Sequence, residues 1–367
     1  MEPDSPTAGF TGPGSAGNAA TPALAAPPGQ TQHGLRHLPD ELKALLHGKA
    51  NILWWLHSAY ALLFGLGVMW LSAKNFAYLR IIVFHIAFIW LTSLFLPALA
   101  HRAWLPPRWQ ERVRLAINYF NKNFYQQVLF FLLPIYYAST TFGSRNVVFL
   151  ILLALSALLS TMDIIYDRYL SVRWPLASLF FVFNLFSAIN VMLPVLWAIS
   201  NHRALWISAV LALGGFASML YRLSGLRGHQ AKLLLGGAAL VLLLIVEIFP
   251  SFIPPAPLCL ASAEFGRGVR SLRIETPLAT VPSTPGKIAV LTAIDAPLSL
   301  KEEVRHCWYI NREAVFISGY HTVTGGRKEG YRLWSQITYK GSRAGEVVTV
   351  DVETKGGQLI GRARLRT

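Results

Sequence analysis

The sequence predicts a polytopic α-helical membrane protein of about seven transmembrane helices with a C-terminal all-β, antiparallel sandwich-like domain. Three observations carry that prediction. Of the 367 residues, 53% are hydrophobic and only 14% charged, whereas a soluble globular chain carries roughly 25% charged residues. Acidic side chains are sparse between Ile52 and Pro254, where there are four (Glu111, Asp163, Asp167, Glu247), and ten return in the last 113 residues. In that last part Val348, Val350 and Val352 alternate with Thr349, Asp351 and Glu353, the period of a half-buried strand.

Residues 1–34 are rich in Pro, Gly, Ala, Ser and Thr and offer nothing for a core, so they read as a disordered tail. No basic segment followed by an apolar run marks a signal peptide there. Residues 35–51 read as a short amphipathic or juxtamembrane helix, with Pro39, Asp40 and Glu41 at the positive end of its dipole. Residues 52–254 then form the transmembrane domain. Its apolar segments run near Ile52 to Leu71, Leu79 to Leu99, Gln126 to Phe142, Val147 to Tyr166, Trp174 to Ile199, Leu205 to Leu220 and Lys232 to Phe252. Each lies near the roughly 17 to 25 residues a helix needs to cross the hydrocarbon. The third and sixth are short enough to leave six spans open as the alternative.

Lys and Arg in the connections set the orientation. With the N-terminus cytoplasmic, inside segments hold 13 basic residues and outside segments four (Lys74, Arg80, Arg145, Arg203). That bias predicts a multi-pass protein of a bacterial inner membrane with its C-terminal domain in the periplasm. The net charge of +15 is then topology signal and contact with anionic lipid, and no nucleic-acid partner is expected.

Residues 255–286 read as a linker and first strand, and residues 287–367 as the extracytoplasmic β domain. Turn chemistry punctuates it at Thr324-Gly325-Gly326, Lys340-Gly341-Ser342 and Lys355-Gly356-Gly357. Six or seven short strands at that spacing predict an antiparallel sandwich. The glycine-rich stretch GGRKEGYRLWS (Gly325 to Ser335) lacks the Gly-Lys-Ser/Thr ending and the following helix of a phosphate-binding loop, so a hairpin connection is expected instead.

Several motifs carry a family resemblance. "LTAIDAPLSL" (Leu291 to Leu300), "VRHCWY" (Val304 to Tyr309), GGRKEGYRLWS and "GGQLIG" (Gly356 to Gly361) resemble the bacterial domain of unknown function 2914. "QQVLFFLLP" (Gln126 to Pro134), "STT" (Ser139 to Thr141) and "DIIYDRYL" (Asp163 to Leu170) resemble its companion, domain of unknown function 5924. The chain departs from the first pattern at Gly345-Glu346-Val347, where that pattern has Gly-Trp. The resemblance implies an architecture and no activity.

Candidate sites come from the residues themselves. His306 and Trp308 share one strand face, as do Arg332 and Trp334, and with Ser335 they could form a ligand face on which Trp stacks and Arg332 binds an acidic group. The alternative is a core Trp with a satisfied His and an Arg packed over it, with Trp334 as core and Gly325 and Gly326 turning the hairpin. Arg362, Arg364 and Arg366 alternate as a basic stripe. Within the membrane, His85, Thr140, Asn190 and Glu247 fall at one depth and form a candidate polar cluster. Asp163 and Asp167, with Arg168 and Gln126, read as a structural ion-pair knot. Cys259 and Cys307 are the only cysteines, and a periplasmic disulfide between them is open.

No catalytic motif compels an enzyme, and no metal or cofactor is expected. Two classes remain. One is a membrane anchor for a sandwich that binds an envelope glycan, lipid or protein, with the bilayer as its other partner. The other is a membrane-embedded transporter or enzyme built on His85, Asn190 and Glu247 with the sandwich as a lid.

Overall fold

The computed structural model describes residues 59–60, 62–63, 66–67, 126–162, 169–170, 173–223, 228–298, 300–341 and 345–367. Every described residue belongs to one compact unit, Ile52–Thr367. The expectations for the tail 1–34, the helix 35–51, the spans from Ile52 to Leu71 and Leu79 to Leu99, and the Asp163–Asp167 knot therefore lie largely or wholly outside the described residues.

The seven-span expectation is overturned. Among the described residues five helices have both ends defined: α1 (Gln126–Ala138), α2 (Val147–Thr161), α3 (Trp174–Trp197), α4 (Asn201–Leu223) and α5 (His229–Glu247). Only α3, α4 and α5 are long and apolar enough to cross a membrane. At 1.5 Å per residue, the 15 residues of α2 reach about 22 Å, short of a hydrocarbon core of about 30 Å. Hydroxyl side chains stand at the ends of both short helices. Ser139 Oγ donates to Ile135 O (3.0 Å) and Thr140 Oγ1 to Tyr136 O (2.6 Å) just past the end of α1. Ser160 and Thr161 make the same kind of backward bond to Ala157 O (2.6 Å) and Leu158 O (2.7 Å) where α2 stops.

Asn146 of the α1–α2 loop donates to Leu359 O at 3.4 Å and the Asn201 N–H at the start of α4 donates to Glu302 at 2.7 Å, so these helix ends and the C-terminus of α5 face the β domain. A single 3-10 turn, Pro250–Phe252, leads from α5 to the β domain at that end. Nine antiparallel strands follow: β1 (Cys259–Arg270), β2 (Arg273–Pro277), β3 (Gly286–Asp295), β4 (Lys301–Ile310), β5 (Glu313–Ile317), β6 (His321–Thr324), β7 (Tyr331–Tyr339), β8 (Val347–Thr354) and β9 (Leu359–Arg366). One sheet has the order β2-β1-β3-β7; the other runs β5-β4-β8-β9, with β6 also paired to β4.

The two sheets pack face to face. Phe265, Ile288, Val290 and Ile337 from the first meet Trp308, Val348, Val350 and Leu365 from the second in one buried cluster. Phe265 and Trp308 touch edge to face, with ring centroids 6.3 Å apart. The glycine-rich stretch is not a hairpin, because β6 belongs to one sheet and β7 to the other. It crosses between the layers close under the β3–β4 loop, where a Cβ on Gly325 would stand 1.8 Å from Pro297 O. Only glycine fits that approach.

Candidate functional site

The structure divides the predicted ligand face into two parts on opposite sides of one sheet. On β4, Glu302, Val304, His306 and Trp308 point inward; on β7, Leu333, Ser335, Ile337 and Tyr339 do the same. His306 and Trp308 are fully buried and Ser335 nearly so. They form a directed hydrogen-bond chain. Trp308 Nε1–H donates to Ser335 Oγ (2.8 Å), and Ser335 Oγ lies 2.7 Å from His306 Nδ1. His306 Nε2 lies 3.0 Å from Thr292 Oγ1, which donates to Leu333 O (3.1 Å). Thr292 spends its proton on Leu333 O, so its oxygen accepts His306 Nε2–H, and the neutral ring then leaves Nδ1 to accept the Ser335 hydroxyl. Burial holds its imidazolium down at about 4, with His321 adding to the effect.

A Ser–His pair at this distance resembles a nucleophile with its base, yet no substrate can reach either atom and the Ser335 hydroxyl is committed at both ends. The chain is structural. Sequence reasoning missed Thr292, which stands in the "LTAID" stretch; the inward parity of β3 is the signal that marks it.

Arg332 and Trp334 face outward, which corrects the expectation that Trp334 is core: it is 43% exposed. Arg332 is held by Glu329 Oε2 at 2.7 Å and donates to Leu272 O at 3.1 Å. No indole lies beneath its guanidinium among the contacts of the described residues. The outward row of β7 continues through Gln336 and Thr338, both exposed. Beside it, Ala289, Leu291 and Ala293 of β3 are register partners of Gln336, Trp334 and Arg332. Those three β3 residues are buried, so what the face offers to solvent is the β7 row itself, with Trp334 as its one aromatic ring. Gln336 and Thr338 also line a cavity of about 590 Å³ at the sandwich edge, together with Val315, Phe316, Tyr339 and Glu346.

The disulfide is ruled out in this structure, where both cysteines are free and buried. Cys259 is on β1 of one sheet and Cys307 on β4 of the other, so their backbones belong to different layers. Cys307 Sγ instead donates to Glu353 Oε2 at 3.3 Å, beside the Arg305–Glu353 pair. Burial first, then Glu353, pushes its thiol up to about 12, and burial with Asp295 raises Cys259 to about 11. Neither is a ready nucleophile. The basic stripe is partly neutralised: Arg362 clamps Asp351 with two contacts of 2.6 Å, while Arg364 and Arg366 stay exposed.

The intramembrane cluster does not assemble among the described residues. Thr140 bonds the backbone of Tyr136, and Asn190 Nδ2 donates to the Tyr136 hydroxyl at 3.2 Å, which ties α1 to α3. Glu247 lies elsewhere, exposed, accepting Trp206 Nε1–H at 2.8 Å. His85 lies outside the described residues. Gln126 is buried at the start of α1. No group of three or more His, Cys, Asp or Glu side chains able to hold a metal occurs among the described residues.

These features define a membrane-associated helical protein that carries an antiparallel β domain at one end of its bundle. The family described as "Family of unknown function (DUF5924)" matches residues 40–276, and the chain belongs to it. That match extends past the helices through β1 and into β2. No curated protein matches the chain.

Proposed function

We propose that the chain is a multi-pass inner-membrane protein, N-terminus cytoplasmic, that holds its β domain in the periplasm and uses the outward face of β7 to bind an envelope glycan. In this reading the tail is a module of the domain of unknown function 2914 type, fused to the membrane body. The observation that supports it is Trp334, a large ring left 43% exposed in a row whose other members, Arg332, Gln336 and Thr338, are polar. An indole beside a planar amide, a hydroxyl and a fixed guanidinium is suited to a sugar ring, which offers an apolar face for stacking and hydroxyls for hydrogen bonds. The excess of basic residues in the inside segments supports the orientation.

Two experiments test the reading. Full-length protein in nanodiscs should bind purified cell-wall glycan strands, and Trp334→Ala should weaken that binding at least tenfold while changing stability by no more than about 1 kcal/mol. Undiminished binding by Trp334→Ala would remove the assigned surface; binding to lipid vesicles or protein alone would replace the glycan. A reporter active only outside the cytoplasm should work after Thr367 and fail after Arg114, and the reverse pattern would invert the orientation.

A further inference from the structure

Where the sandwich meets the helices, a buried carboxyl lies beside a group of buried polar atoms that lack partners. Glu302, 3% exposed, points inward from β4, and its Oε2 accepts the backbone N–H of Asn201 at the start of α4 at 2.7 Å. The Asn201 amide, 1% exposed, donates to Ala256 O at 3.4 Å. Gln358, fully buried in the β8–β9 turn, donates to Ile253 O at 3.1 Å. Both amides thus serve the same connector between α5 and β1. Neither can be turned over, because its oxygen would then face a carbonyl oxygen. Asn201 Oδ1 and Gln358 Oε1 consequently point away from the connector, and they are buried without a partner, as is His202 Nδ1. The β8–β9 turn closes on this spot, since a Cβ on Gly356 would stand 3.0 Å from His202 Nδ1.

A buried acceptor without a donor is unfavourable. Two side chains in the group can supply a donor with no movement of the backbone: His202 as its Nδ1–H tautomer, and a protonated Glu302, which presents an O–H while its other oxygen still accepts the Asn201 N–H. We propose that Glu302 is a protonation site that fastens the β domain to α4: it is buried against the start of that helix with no cation paired to it among the described residues, so the junction holds when the carboxyl is neutral and loosens when it ionises.

The electrostatic surroundings agree with that geometry. Burial raises the Glu302 carboxyl to about 7; the Asn201 N–H opposes the rise and Glu303 adds to it. Glu303 is itself held by Lys355 Nζ at 2.7 Å from the β8–β9 turn. From α4 the nearby titratable and charged groups are His202 and the exposed Arg203. From the α1–α2 loop comes Arg145, 5.8 Å over the Phe252 ring. The connector Ile253–Leu258 has no titratable side chain. Because the docked value lies above the solvated 4.5, the contribution is complete below pH 4.5 and is lost as pH rises through about 7. The docking equilibrium should fall about tenfold between pH 6 and pH 8. His306, held near 4, stays neutral across that window.

The test uses the full chain in lipid nanodiscs. Hydrogen exchange of peptides spanning 198–206 and 250–258, normalised for intrinsic rates, should lose about tenfold in protection between pH 6 and pH 8. Glu302→Gln keeps one donor and one acceptor, so its protection should stay high and flat. Wild-type protection that is flat over this range overturns the proposal, as does a folded Glu302→Gln with an unchanged pH dependence. Should Glu302→Gln fail to fold, infrared spectra of wild-type protein with labelled glutamate decide: a protonated-carboxyl band present at pH 6 and gone by pH 8 supports the site, and its absence at pH 6 overturns it.

Discussion

Replacing Ser335 by alanine removes one oxygen atom and disturbs two buried groups. Ser335 Oγ is the acceptor for Trp308 Nε1–H at 2.8 Å and the partner of His306 Nδ1 at 2.7 Å. Both side chains are fully buried, so no water can stand in for the lost hydroxyl. A buried donor or acceptor left unpartnered costs about 1–3 kcal/mol. Two such groups, allowing for a small mutual approach of the indole N–H and Nδ1, give a loss of about 2–4 kcal/mol. For a domain of this size that corresponds to roughly 10 °C or more in melting temperature. The assay is thermal unfolding of the full-length protein in nanodiscs, followed by near-ultraviolet circular dichroism. Trp334→Ala, one position earlier but on the exposed face, should stay within about 1 kcal/mol of wild type. A Ser335→Ala melt within about 0.5 kcal/mol of wild type would refute the hydrogen-bond chain as a stabilising element, and a Trp334→Ala loss of 3 kcal/mol or more would return that ring to the core.

The same chain sets an acid limit. The His306 imidazole is held at about 4 in the folded protein against an ordinary value of 6.5, so its contribution is complete above pH 6.5 and is lost as pH falls through about 4. Between pH 7 and pH 4.5 the loss amounts to about 2 kcal/mol; comparing urea midpoints at the two pH values, His306→Gln should lack this component, and an identical acid loss in the variant would contradict the assignment. Glu302 contributes with the opposite sign over that range, which makes the difference between variant and wild type the informative quantity. The cysteines give a third check: neither should react with thiol reagents in the folded protein at pH 8, and gel mobility after alkylation in denaturant should be the same with and without reductant. A reductant-dependent shift abolished by Cys307→Ser would establish a bridge instead.

Strand parity was legible, and it paired His306 with Trp308 and Arg332 with Trp334 on common faces. Which face turns inward depends on the partner sheet. On β7 the inward set is Leu333, Ser335, Ile337 and Tyr339, three apolar or aromatic side chains whose combined burial outweighs the single ring of Trp334. Glu302 shares the inward parity of Val304 and His306, so its direction was readable; its burial was not, because that comes from α4 and the α5–β1 connector, remote in sequence. The layer crossing at Gly325 was hidden for a similar reason, since turn residues report local backbone geometry and not the sheet in which the next strand finds its partner. Helix length was not legible: Ser139, Thr140, Ser160 and Thr161 bond backward at the ends of α1 and α2, but Ser187 and Ser208 do the same inside α3 and α4 without stopping them.

The order of strands in the first sheet bears on how the protein is made. β1 leaves the last helix almost at once, yet it lies in the interior of β2-β1-β3-β7 and borders a strand, β3, whose other neighbour ends at Tyr339. The opposite layer is finished only by β9, which ends at Arg366. The first segment to emerge beyond α5 thus cannot complete its own layer until most of the remaining chain has been delivered to the same side, and it contributes hydrophobic Phe265 in the interval. The sandwich can therefore close only late, around a strand that has been waiting since the helices were made.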